Sequence, residues 1–402
     1  MTINNEHKKL NVPNLRFPEF QGEWEEYKLE DITAEIGDGI HATPIYDDNG
    51  TFYFVNGNNI SEYGITITAT TQKVTAEEAL RNNASALNSY SILLSINGTI
   101  GNVALYKNEP IMLGKSACYI NVSSNINRNY IFYYLMMPKC QFYFTSELTG
   151  TTIKNLSLKS VRKTKVLLPN ANEQSKIARL FDAINERIAT QNKIIEDLKK
   201  LKWAIIEKHY RQAKLHKYKI CDLGVPFSVG SLSKEDLSEE GYECILYGEL
   251  FTTYGCVINE VKSHTNKIAN TTLSQKGDLL FPSSTTVDAV SLISPSVIDI
   301  PNVILGGDMF GIHIDKKFNA YYLSYYINLI ARKKLAIYAK GSTIIHLHYK
   351  DIAKAQLLLP DLCEQDKIAK CMMAEDAKIK VEEQLLTILE KQKQYLLRQM
   401  FI

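Results

Sequence analysis

Two long stretches of this sequence contain neither glycine nor proline, and a proline precedes each of them. They run from Asn170 to Arg211 and from Asp361 to Ile402. Glycine and proline are the residues least compatible with a helix interior, so both stretches are predicted to be continuous helices. At ~1.5 Å per residue, each helix would be about 60 Å long. Two helices of this length constrain the fold more than any other feature of the chain.

Apolar residues recur at steps of three and four along both predicted helices, which is the pattern of a coiled-coil seam. Polar residues interrupt the seam at Gln191 and Lys202 in the first helix, and at Glu375 and Glu382 in the second. The apolar seam of the first helix consists of Ile177, Phe181, Ile184, Ile188, Ile195, Leu198 and Ile205. That of the second consists of Ile368, Met372, Ile379, Leu386, Leu389 and Leu396.

Both helices also have a similar predicted start. Asn170 and Asp361 stand at the N-cap positions, and a glutamate follows each of them three residues later, Glu173 or Glu364. This is the spacing of a capping box, in which the cap and the glutamate each accept a hydrogen bond from the other's backbone N–H.

The similarity of the two helices extends over most of the chain. Ile177 and Ile368 are 191 positions apart, and the same offset relates other segments of the two halves. The aligned pairs are Tyr27–Ile32 with Tyr218–Leu223, Gly39 with Gly230, Gly50 with Gly241, Tyr53–Gly57 with Cys244–Gly248, Tyr130–Tyr134 with Tyr321–Tyr325, Gly150–Ile153 with Gly341–Ile344, and Leu167–Ala178 with Leu358–Ala369. One offset over so long a span indicates an internal duplication of a globular domain followed by a helix. The middles of the two domains share little sequence.

The duplication predicts an α+β fold with two homologous domains of mixed α/β structure. The segments are a lead-in (1–26), a first domain (27–169), a central helix (170–211), a second domain (212–360) and a C-terminal helix (361–402). Strands of the first domain are predicted at Thr51–Val55, Tyr90–Ile96, Val103–Tyr106, Ala117–Val122 and Val166–Leu168. Short aromatic helices are predicted at Asn129–Met137 and Tyr321–Ile330.

Composition limits the partners and the compartment. The 402 residues carry a net charge of only +2, so a polyanionic partner would have to be bound by local basic patches. The seven cysteines include no Cys-x-x-Cys pair, which favours a reduced cytoplasm over a disulfide framework or a zinc site. The N-terminus has no apolar signal region and no apolar run approaches ~18 residues, so neither export nor a membrane span is expected.

The loop that follows Gly150 is the first candidate binding segment, because residues 150–172 include several basic residues and no acidic one. Its candidate residues are Thr151, Thr152, Lys154, Lys159, Arg162 and Lys163. Such a loop can bind phosphates through charge and backbone N–H groups, or it can be an ordinary solvated basic face. The second copy favours binding, and its candidates are Lys340, Ser342, Thr343, His346 and His348.

A second candidate segment follows a predicted strand in each half. Asn97 and Thr99 lie in the first half, and the hydroxyl-rich run Ser283, Ser284 and Thr285 lies in the second. Side chains of these types can read base edges in DNA. The Asn97-Gly98 pair is equally typical of a hairpin turn, so both interpretations remain open for this segment.

Other conspicuous residues favour structural roles. The tyrosines clustered at 130–134 and 321–326 are predicted to be core residues rather than base-stacking ones. His346 and His348 have no acidic or cysteine partner at metal-ligand spacing. The sequence contains no GxSxG, HExxH or GxGxxG motif and no Asn/Asp-Pro-Pro-aromatic tetrapeptide of amino-methyltransferases. We therefore expect no catalytic, cofactor-binding or metal-binding residue.

Several of these features together resemble the specificity subunits of type I restriction–modification enzymes. The opening Leu15–Phe20, Trp24 and Tyr27–Ile32 resembles their start, as do Gly-Thr/Ser-Thr-Ile, Leu-Leu-Pro, Glu-Gln and Lys-Ile-Ala in order at 150–178 and 341–369. The resemblance extends from Leu15 to Ile402. It implies two target-recognition domains, each reading half of a split DNA site, and two helices that pair as an antiparallel coiled coil. It also implies a pseudo-twofold repeat, with helices that set the spacer and dock modification subunits.

The resemblance also implies the partners of such a chain. These are double-stranded DNA, two methyltransferase (modification) subunits and two translocase–nuclease (restriction) subunits, all in the cytoplasm. S-adenosylmethionine, ATP and Mg are expected on those partner subunits, and none on this chain. Two other hypotheses are a self-contained DNA methyltransferase or nuclease, and a coiled-coil oligomerisation protein. The missing catalytic motifs count against the enzyme.

Overall fold

A computed structural model describes residues 10–150 and 154–402. The chain divides into two compact units. Unit 1 consists of the residues up to Asn192 together with Gln384–Ile402, and unit 2 consists of Lys193–Glu383. Each unit therefore combines one globular region with part of each long helix. Among the described residues, no helix has both the length and the apolar composition needed to cross a membrane.

In the described part of unit 1, short strands alternate with short helices before the first long helix begins. The strands are β1 (Glu25–Lys28), β2 (Thr33–Asp38), β3 (Phe52–Val55), β4 (Ile60–Ser61), β5 (Gly64–Ile65), β6 (Lys73–Val74), β7 (Ser91–Ser95), β8 (Val103–Leu105), β9 (Ile111–Leu113), β10 (Ala117–Val122) and β11 (Lys165–Leu168). The helices are α1 (Ala76–Arg81), α2 (Arg128–Met136), α3 (Pro138–Ser146), α4 (Leu158–Arg162) and the first long helix, α5 (Ala171–Gln212). The strands predicted from sequence agree with β3, β7, β8, β10 and β11 to within one residue at each end.

Unit 2 has a similar sequence of elements. Its strands are β12 (His216–Lys219), β13 (Gly224–Ser228), β14 (Leu237–Ser238), β15 (Tyr242–Leu246), β16 (Val257–Ile258), β17 (Ser263–Thr265), β18 (Thr272–Leu273), β19 (Asp278–Pro282), β20 (Ser284–Thr285), β21 (Ser296–Ile298), β22 (Ile304–Gly306), β23 (Met309–Ile314), β24 (Ile345–His346) and β25 (Gln356–Leu359). Its helices are α6 (Glu249–Thr252), α7 (Ala289–Leu292), α8 (Ala320–Tyr326), α9 (Arg332–Ala336), α10 (Tyr349–Ile352) and the second long helix, α11 (Leu362–Gln399). The helix predicted at Tyr321–Ile330 is divided, because α8 continues as a π-helical turn, Ile327–Ala331.

The main sheets of the two units share one topology. The sheet of unit 1 has the order β2-β10-β7-β8, and that of unit 2 has the order β13-β23-β19-β21 with β16 added at the edge. A second sheet is built on a parallel pair in both units, β3 with β9 and β15 with β22. An antiparallel strand flanks each parallel pair, β6 in unit 1 and β17 in unit 2. The internal duplication inferred from sequence is therefore a duplication of fold.

The offset between the copies is constant at the domain ends and changes inside. Glu25 pairs with Leu168 in unit 1, and His216 pairs with Leu359 in unit 2, so both partners are shifted by 191 positions. The tyrosine helices are shifted by 192 positions, since β10 starts at Ala117 and β23 at Met309. Unit 2 thus has one more residue before this strand, and the predicted alignment of Tyr130 with Tyr321 is wrong by one.

The N-caps of the tyrosine helices show the corrected alignment directly. Asn127 accepts a hydrogen bond from the backbone N–H of Tyr130, and Asn319 accepts one from that of Tyr322. The equivalent tyrosines are therefore Tyr130 and Tyr322, and after them Tyr133 and Tyr325.

These tyrosines are core residues, as predicted. Tyr133 and Tyr325 are almost fully buried, and each hydroxyl donates to a carboxylate on a long helix. The distances are 2.7 Å to Asp182 in unit 1 and 2.6 Å to Asp376 in unit 2. Burial first, and the neighbouring carboxylate next, raise the pKa of both phenols above the usual value, so both remain hydrogen-bond donors at neutral pH.

The helix starts confirm half of each predicted capping box. The Asn170 side chain accepts from the N–H of Glu173, and that of Asp361 accepts from the N–H of Glu364, both at 3.0 Å. The glutamate side chains do not accept hydrogen bonds from the backbone N–H groups of the cap residues. Glu173 instead binds Arg16 of the lead-in at 2.7 Å, because this buried carboxylate needs a charged partner.

The two long helices run antiparallel where they contact each other in unit 2. Lys199 pairs with Glu383 at 2.7 Å, and Lys202 pairs with Asp376. The residue numbers therefore increase along the first helix where they decrease along the second. Predicted seam residues are buried, and they include Ile177, Phe181, Ile188, Ile195, Leu198, Ile368, Met372, Ile379 and Leu389. Gln191 is buried as well, so this polar position lies within the seam rather than breaking it.

The second long helix is shorter than its sequence predicts. It ends at Gln399 rather than Ile402, because the chain turns Phe401 into the core of unit 1. The Phe401 ring lies 5.6 Å from that of Phe181 and 5.3 Å from that of Tyr130. The last residues of the chain thus complete an aromatic core that the first half begins.

Two lysines of the first long helix offer a matched test of the helix pairing. Lys202 is largely buried, pairs with Asp376 and lies 4.7 Å from the centre of the Tyr325 ring, whereas Lys199 and its partner Glu383 are exposed. Lys202→Ala is expected to lower the free energy of unfolding by about 1–2 kcal/mol, and Lys199→Ala to change it little. Urea denaturation followed by circular dichroism measures both. Equal effects of the two substitutions would contradict this account.

Candidate nucleic-acid interface

The residues that flank the loops after Gly150 and Gly341 pair at matching positions of the two units, and we call these paired segments the hairpins. In unit 1, Thr149 and Asn155 exchange backbone hydrogen bonds of 3.0 and 2.9 Å. In unit 2, Lys340 and His346 exchange bonds of 2.9 and 2.7 Å. The pairs are 191 positions apart, so the described ends of the two predicted binding loops are equivalent.

Glycine is required at the start of these hairpins. Gly150 has a φ of 94° and Gly341 a φ of 119°, which are left-handed values that other residues rarely adopt. A Cβ atom on Gly341 would lie only 2.0 Å from the carbonyl oxygen of Ile344. The tight return of the chain in unit 2 therefore depends on the missing side chain.

Each hairpin packs beside the second candidate segment of its own unit. In unit 1, the N–H of Leu156 donates to Ile96 at 2.8 Å, and Asn97 forms an isolated bridge with Asn155. In unit 2, the N–H of Leu347 donates to Ser283 at 2.8 Å, and β20 pairs with β24. Two motifs that are distant in sequence therefore form one continuous surface in each unit.

In unit 1, several candidate residues are exposed and others serve the fold. Lys154, Lys159 and Lys163 are exposed. Thr99 is exposed, but its hydroxyl donates to the carbonyl of Gly57 at 2.7 Å, which ties the Asn97 segment to a neighbouring loop. Asn97 is half-buried. Thr151 and Thr152 lie outside the described residues.

Arg162 has a structural contact that its sequence did not suggest. Its guanidinium donates to the carbonyl oxygen of Ile36 at 2.8 Å, which joins α4 to strand β2, and the side chain is half-buried. Part of its hydrogen-bond donor capacity is therefore used inside unit 1.

The candidates of unit 2 also divide by exposure. Ser283 is only 3% exposed, so its side chain does not reach the surface. Ser342, Thr343, His346 and His348 are exposed, and Thr285 is half-buried. The Lys340 ammonium binds Asp351 at 2.6 Å and lowers the pKa of that carboxyl group, which fixes the hairpin base on α10.

A cleft of about 750 Å³ lies beside the hairpin of unit 2. We call it the unit 2 cleft. The β20–β24 ribbon forms one wall through Ser284 and His346, together with the adjacent residues Thr286 and Ile344. The other lining residues are Tyr247, Gly248, Phe251, Thr252, Thr285, Val287, Ser291, Ser294, Asp308 and Arg332. The cleft brings the hydroxyl run and the histidine together, as candidate residues of one site.

Sequence reasoning missed most of the cleft. Phe251 and Asp308 belong to the divergent middle of unit 2, and no motif marks them. Arg332 opens the basic run Arg332-Lys333-Lys334, and Val287 is an apolar residue directly after a run of hydroxyls, so these two had a signal in the sequence. Arg332 is held by hydrogen bonds to the carbonyls of Val290 at 2.7 Å and Ser291 at 3.2 Å.

No group of three or more histidine, cysteine or acidic side chains within residues 10–150 and 154–402 is arranged to hold a metal ion. His346 and His348 have ring centres 6.1 Å apart and face each other without a third ligand. Together with the exposed lysines and hydroxyls, this arrangement is suited to contacting phosphates and base edges.

Comparisons with known proteins agree on one family. Its sequence model, described as the type I restriction modification DNA specificity domain, matches residues 21–200 and 214–391. The putative type I restriction enzyme MjaX specificity subunit of Methanocaldococcus jannaschii is 24% identical over 418 aligned positions, which cover 96% of this chain and 95% of the relative. Both matches extend over the two units.

Solved structures match across nearly the whole chain. The type I restriction–modification S subunit from M. genitalium has a TM-score of 0.60 at 17% identity and covers 97% of this chain and 99% of its own. A structure described in terms of complex assembly and conformational transition of the type I R-M system has a TM-score of 0.56 at 14% identity, covering 94% and 97%. At these identities the likeness concerns the fold.

Gly341→Ala tests the hairpin of unit 2. The added methyl group would collide with the Ile344 carbonyl oxygen, so the substitution is expected to cost about 1–3 kcal/mol locally and to open the hairpin. Hydrogen exchange of the His346 amide should accelerate, because that amide donates to Lys340. Gly255→Ala is the control, since a Cβ atom there meets nothing within 4 Å. Unchanged protection of His346 would show that the glycine is dispensable.

Proposed function

This chain belongs to the family of type I restriction–modification DNA specificity domains, and we propose that each of its two units reads one half of a split DNA target through its hairpin surface. The family model covers well over half of the chain, in two copies. The chain is therefore the DNA-recognition subunit of a type I restriction–modification system rather than an enzyme. Methylation and cleavage are carried out by other subunits.

The observation that carries the proposal is a pair of equivalent hairpins that present different side chains. The bridge position holds Asn97 with Asn155 in unit 1, and Ser284 with His346 in unit 2. The backbone frame is the same, whereas the groups available for hydrogen bonding differ. Two surfaces of this kind would read different base sequences, as an asymmetric bipartite target requires.

Exposed lysines of unit 1 would contribute sequence-independent affinity. Lys154 lies in the hairpin, Lys159 in α4 and Lys163 directly after α4, and all three are exposed. Lysine ammonium groups in such positions neutralise phosphates and release counterions from DNA. Since Arg162 also binds the carbonyl of Ile36, it would support this surface as well as add charge to it.

The long helices would set the length of the unread spacer between the two half-sites. Helices that pair antiparallel resist changes of length, so the separation of the reading surfaces would be fixed by the number of helical residues. We assign double-stranded DNA and the other subunits of the complex as partners, with two modification and two restriction subunits around one chain. S-adenosylmethionine, ATP and Mg would be bound by those subunits, in the cytoplasm.

Alanine substitutions at Lys154 and Lys163 test the phosphate contacts. The double variant is expected to bind all duplexes more weakly, and the slope of log affinity against log salt should fall by about 1 for each lost contact. Fluorescence anisotropy with target and scrambled duplexes at several salt concentrations measures both quantities.

Lys107→Ala is the matched control for these lysines. Lys107 is exposed and belongs to the same unit, but it follows β8 at the end of the sheet opposite to the Asn97 segment. Its substitution should leave the salt slope unchanged. A loss of affinity for only one DNA sequence in the double variant would instead assign the two lysines to base reading.

Inserting a heptad between Ile188 and Leu198 tests the role of the helices. Seven residues preserve the apolar seam while lengthening the first long helix. The insertion should change the spacer of the methylated site and leave both half-site sequences unchanged. Long-read mapping of methylated adenines, in cells that express the chain with its modification subunit, identifies the spacer length and the half-site sequences. Altered half-sites with the original spacer would refute this role.

A further inference from the structure

The unit 2 cleft combines hydroxyl groups with exposed apolar side chains. Val287 is 73% exposed and Ile344 is 50% exposed, and both line the cleft. Single exposed apolar residues are common on protein surfaces and need no explanation. Two of them that line one cleft, beside Thr285 and Thr286, make an apolar surface that is costly to leave in water.

The ribbon geometry explains which side chains face the cleft. Ser284 pairs with His346, and Thr285 pairs with Ile345. Successive side chains on a strand point to opposite faces, and within β24 Ile345 packs against the core of unit 2 whereas His346 is exposed and lines the cleft. Ile344 lies in the bend directly before β24, and its exposed side chain lines the cleft as well.

Charge around the cleft favours DNA as the occupant. Lys333, Lys334 and Lys350 are exposed on the neighbouring helices α9 and α10, and they supply positive charge for the phosphate backbone. Asp308 places one carboxylate in the cleft. A carboxylate is repelled by phosphates, but it accepts hydrogen bonds from the amino groups of adenine and cytosine. The apolar residues, the hydroxyls and the carboxylate together match base edges rather than the backbone.

One group in the major groove is apolar, the C5-methyl group of thymine. The major groove also admits a two-stranded β-ribbon, which is the form that β20 and β24 have here. We propose that Val287 and Ile344 read thymine by packing against its methyl group, so that the half-site bound by unit 2 contains at least one A·T pair at this position. This inference rests on the proposed function and adds a specificity-determining pair of residues to it.

The test replaces thymine by deoxyuridine, which removes the methyl group and keeps every hydrogen-bonding atom of the base. The full-length chain is assembled with its modification subunits on a duplex that carries the mapped target. Each thymine of the two half-sites is replaced singly, and affinity is measured by anisotropy. Loss of one buried methyl group is expected to weaken binding about fourfold at one or two positions, all in one half-site.

Variants assign the effect to the cleft. In Val287→Ala with Ile344→Ala, the same deoxyuridine substitution should weaken binding by less than about 1.5-fold, since the methyl group has then lost its partners. Ile344→Thr is a second variant that retains the β-branched shape, in case the alanine variant folds poorly. Ile337→Ala is the control, because Ile337 is 75% exposed in unit 2 and does not line the cleft.

The outcomes separate this inference from the proposed function. Sensitivity to deoxyuridine that disappears in the Val287 and Ile344 variants, and persists in the Ile337 variant, supports it. The inference is overturned if the complex still binds its target specifically but no thymine of either half-site is sensitive to the replacement. It is also overturned if the sensitivity is undiminished in the cleft variants. Equal affinity of the assembled complex for target and scrambled duplexes would instead overturn the proposed function itself.

Discussion

The packing of the two long helices into the globular cores is the constraint on which the rest of the structure depends. In unit 1, Phe181 of the first helix and Phe401 at the end of the second meet Tyr130 in one aromatic cluster. In unit 2, Ile206 and Met372 share a core with the tyrosine helix α8. Burying side chains of this size contributes about 1.5–3 kcal/mol each. The helices are thus parts of the cores, and the sheets are oriented by contacts with them.

Duplication preserved this frame and left the reading surfaces free to change. The terminal strand pairs β1–β11 and β12–β25 keep the same register in both units. The hairpins after Gly150 and Gly341 return through equivalent backbone hydrogen bonds. Lys154, Thr343 and His346 on those hairpins are exposed, and substitution at such positions costs little stability. A fold of this type separates the residues that determine its shape from those that determine its specificity.

Features with a local physical signal were predictable from sequence. The long helices follow from their apolar period and their lack of glycine and proline, and the buried tyrosines follow from their clustering on short helices. The shift of one residue before α8 was not visible, because the divergent middles carry no matching residues. The early end of the second long helix depends on Phe401 finding a core made by the other half of the chain.

The candidate site was only partly predictable for a related reason. Charge and hydroxyl content identified the hairpins, and the structure brings each of them beside its second segment. The same reasoning could not distinguish exposed Lys154 from Arg162, whose partner Ile36 is 126 positions away. It also could not separate the buried Ser283 and Ser284 from the half-buried Thr285 that follows them. Composition reports which groups are available, whereas burial depends on contacts that are distant in sequence.

Unit 1 is built from two separate segments of the chain, and this affects the order in which the two cores are completed. Unit 2 is one continuous segment, whereas unit 1 requires residues 384–402 as well as the first half of the chain. During synthesis the ribosome completes unit 2 before the residues that fill the aromatic cluster of unit 1 have emerged. The part of unit 1 that precedes unit 2 is therefore translated first and acquires its complete core last, because residues 384–402 are translated after all of unit 2.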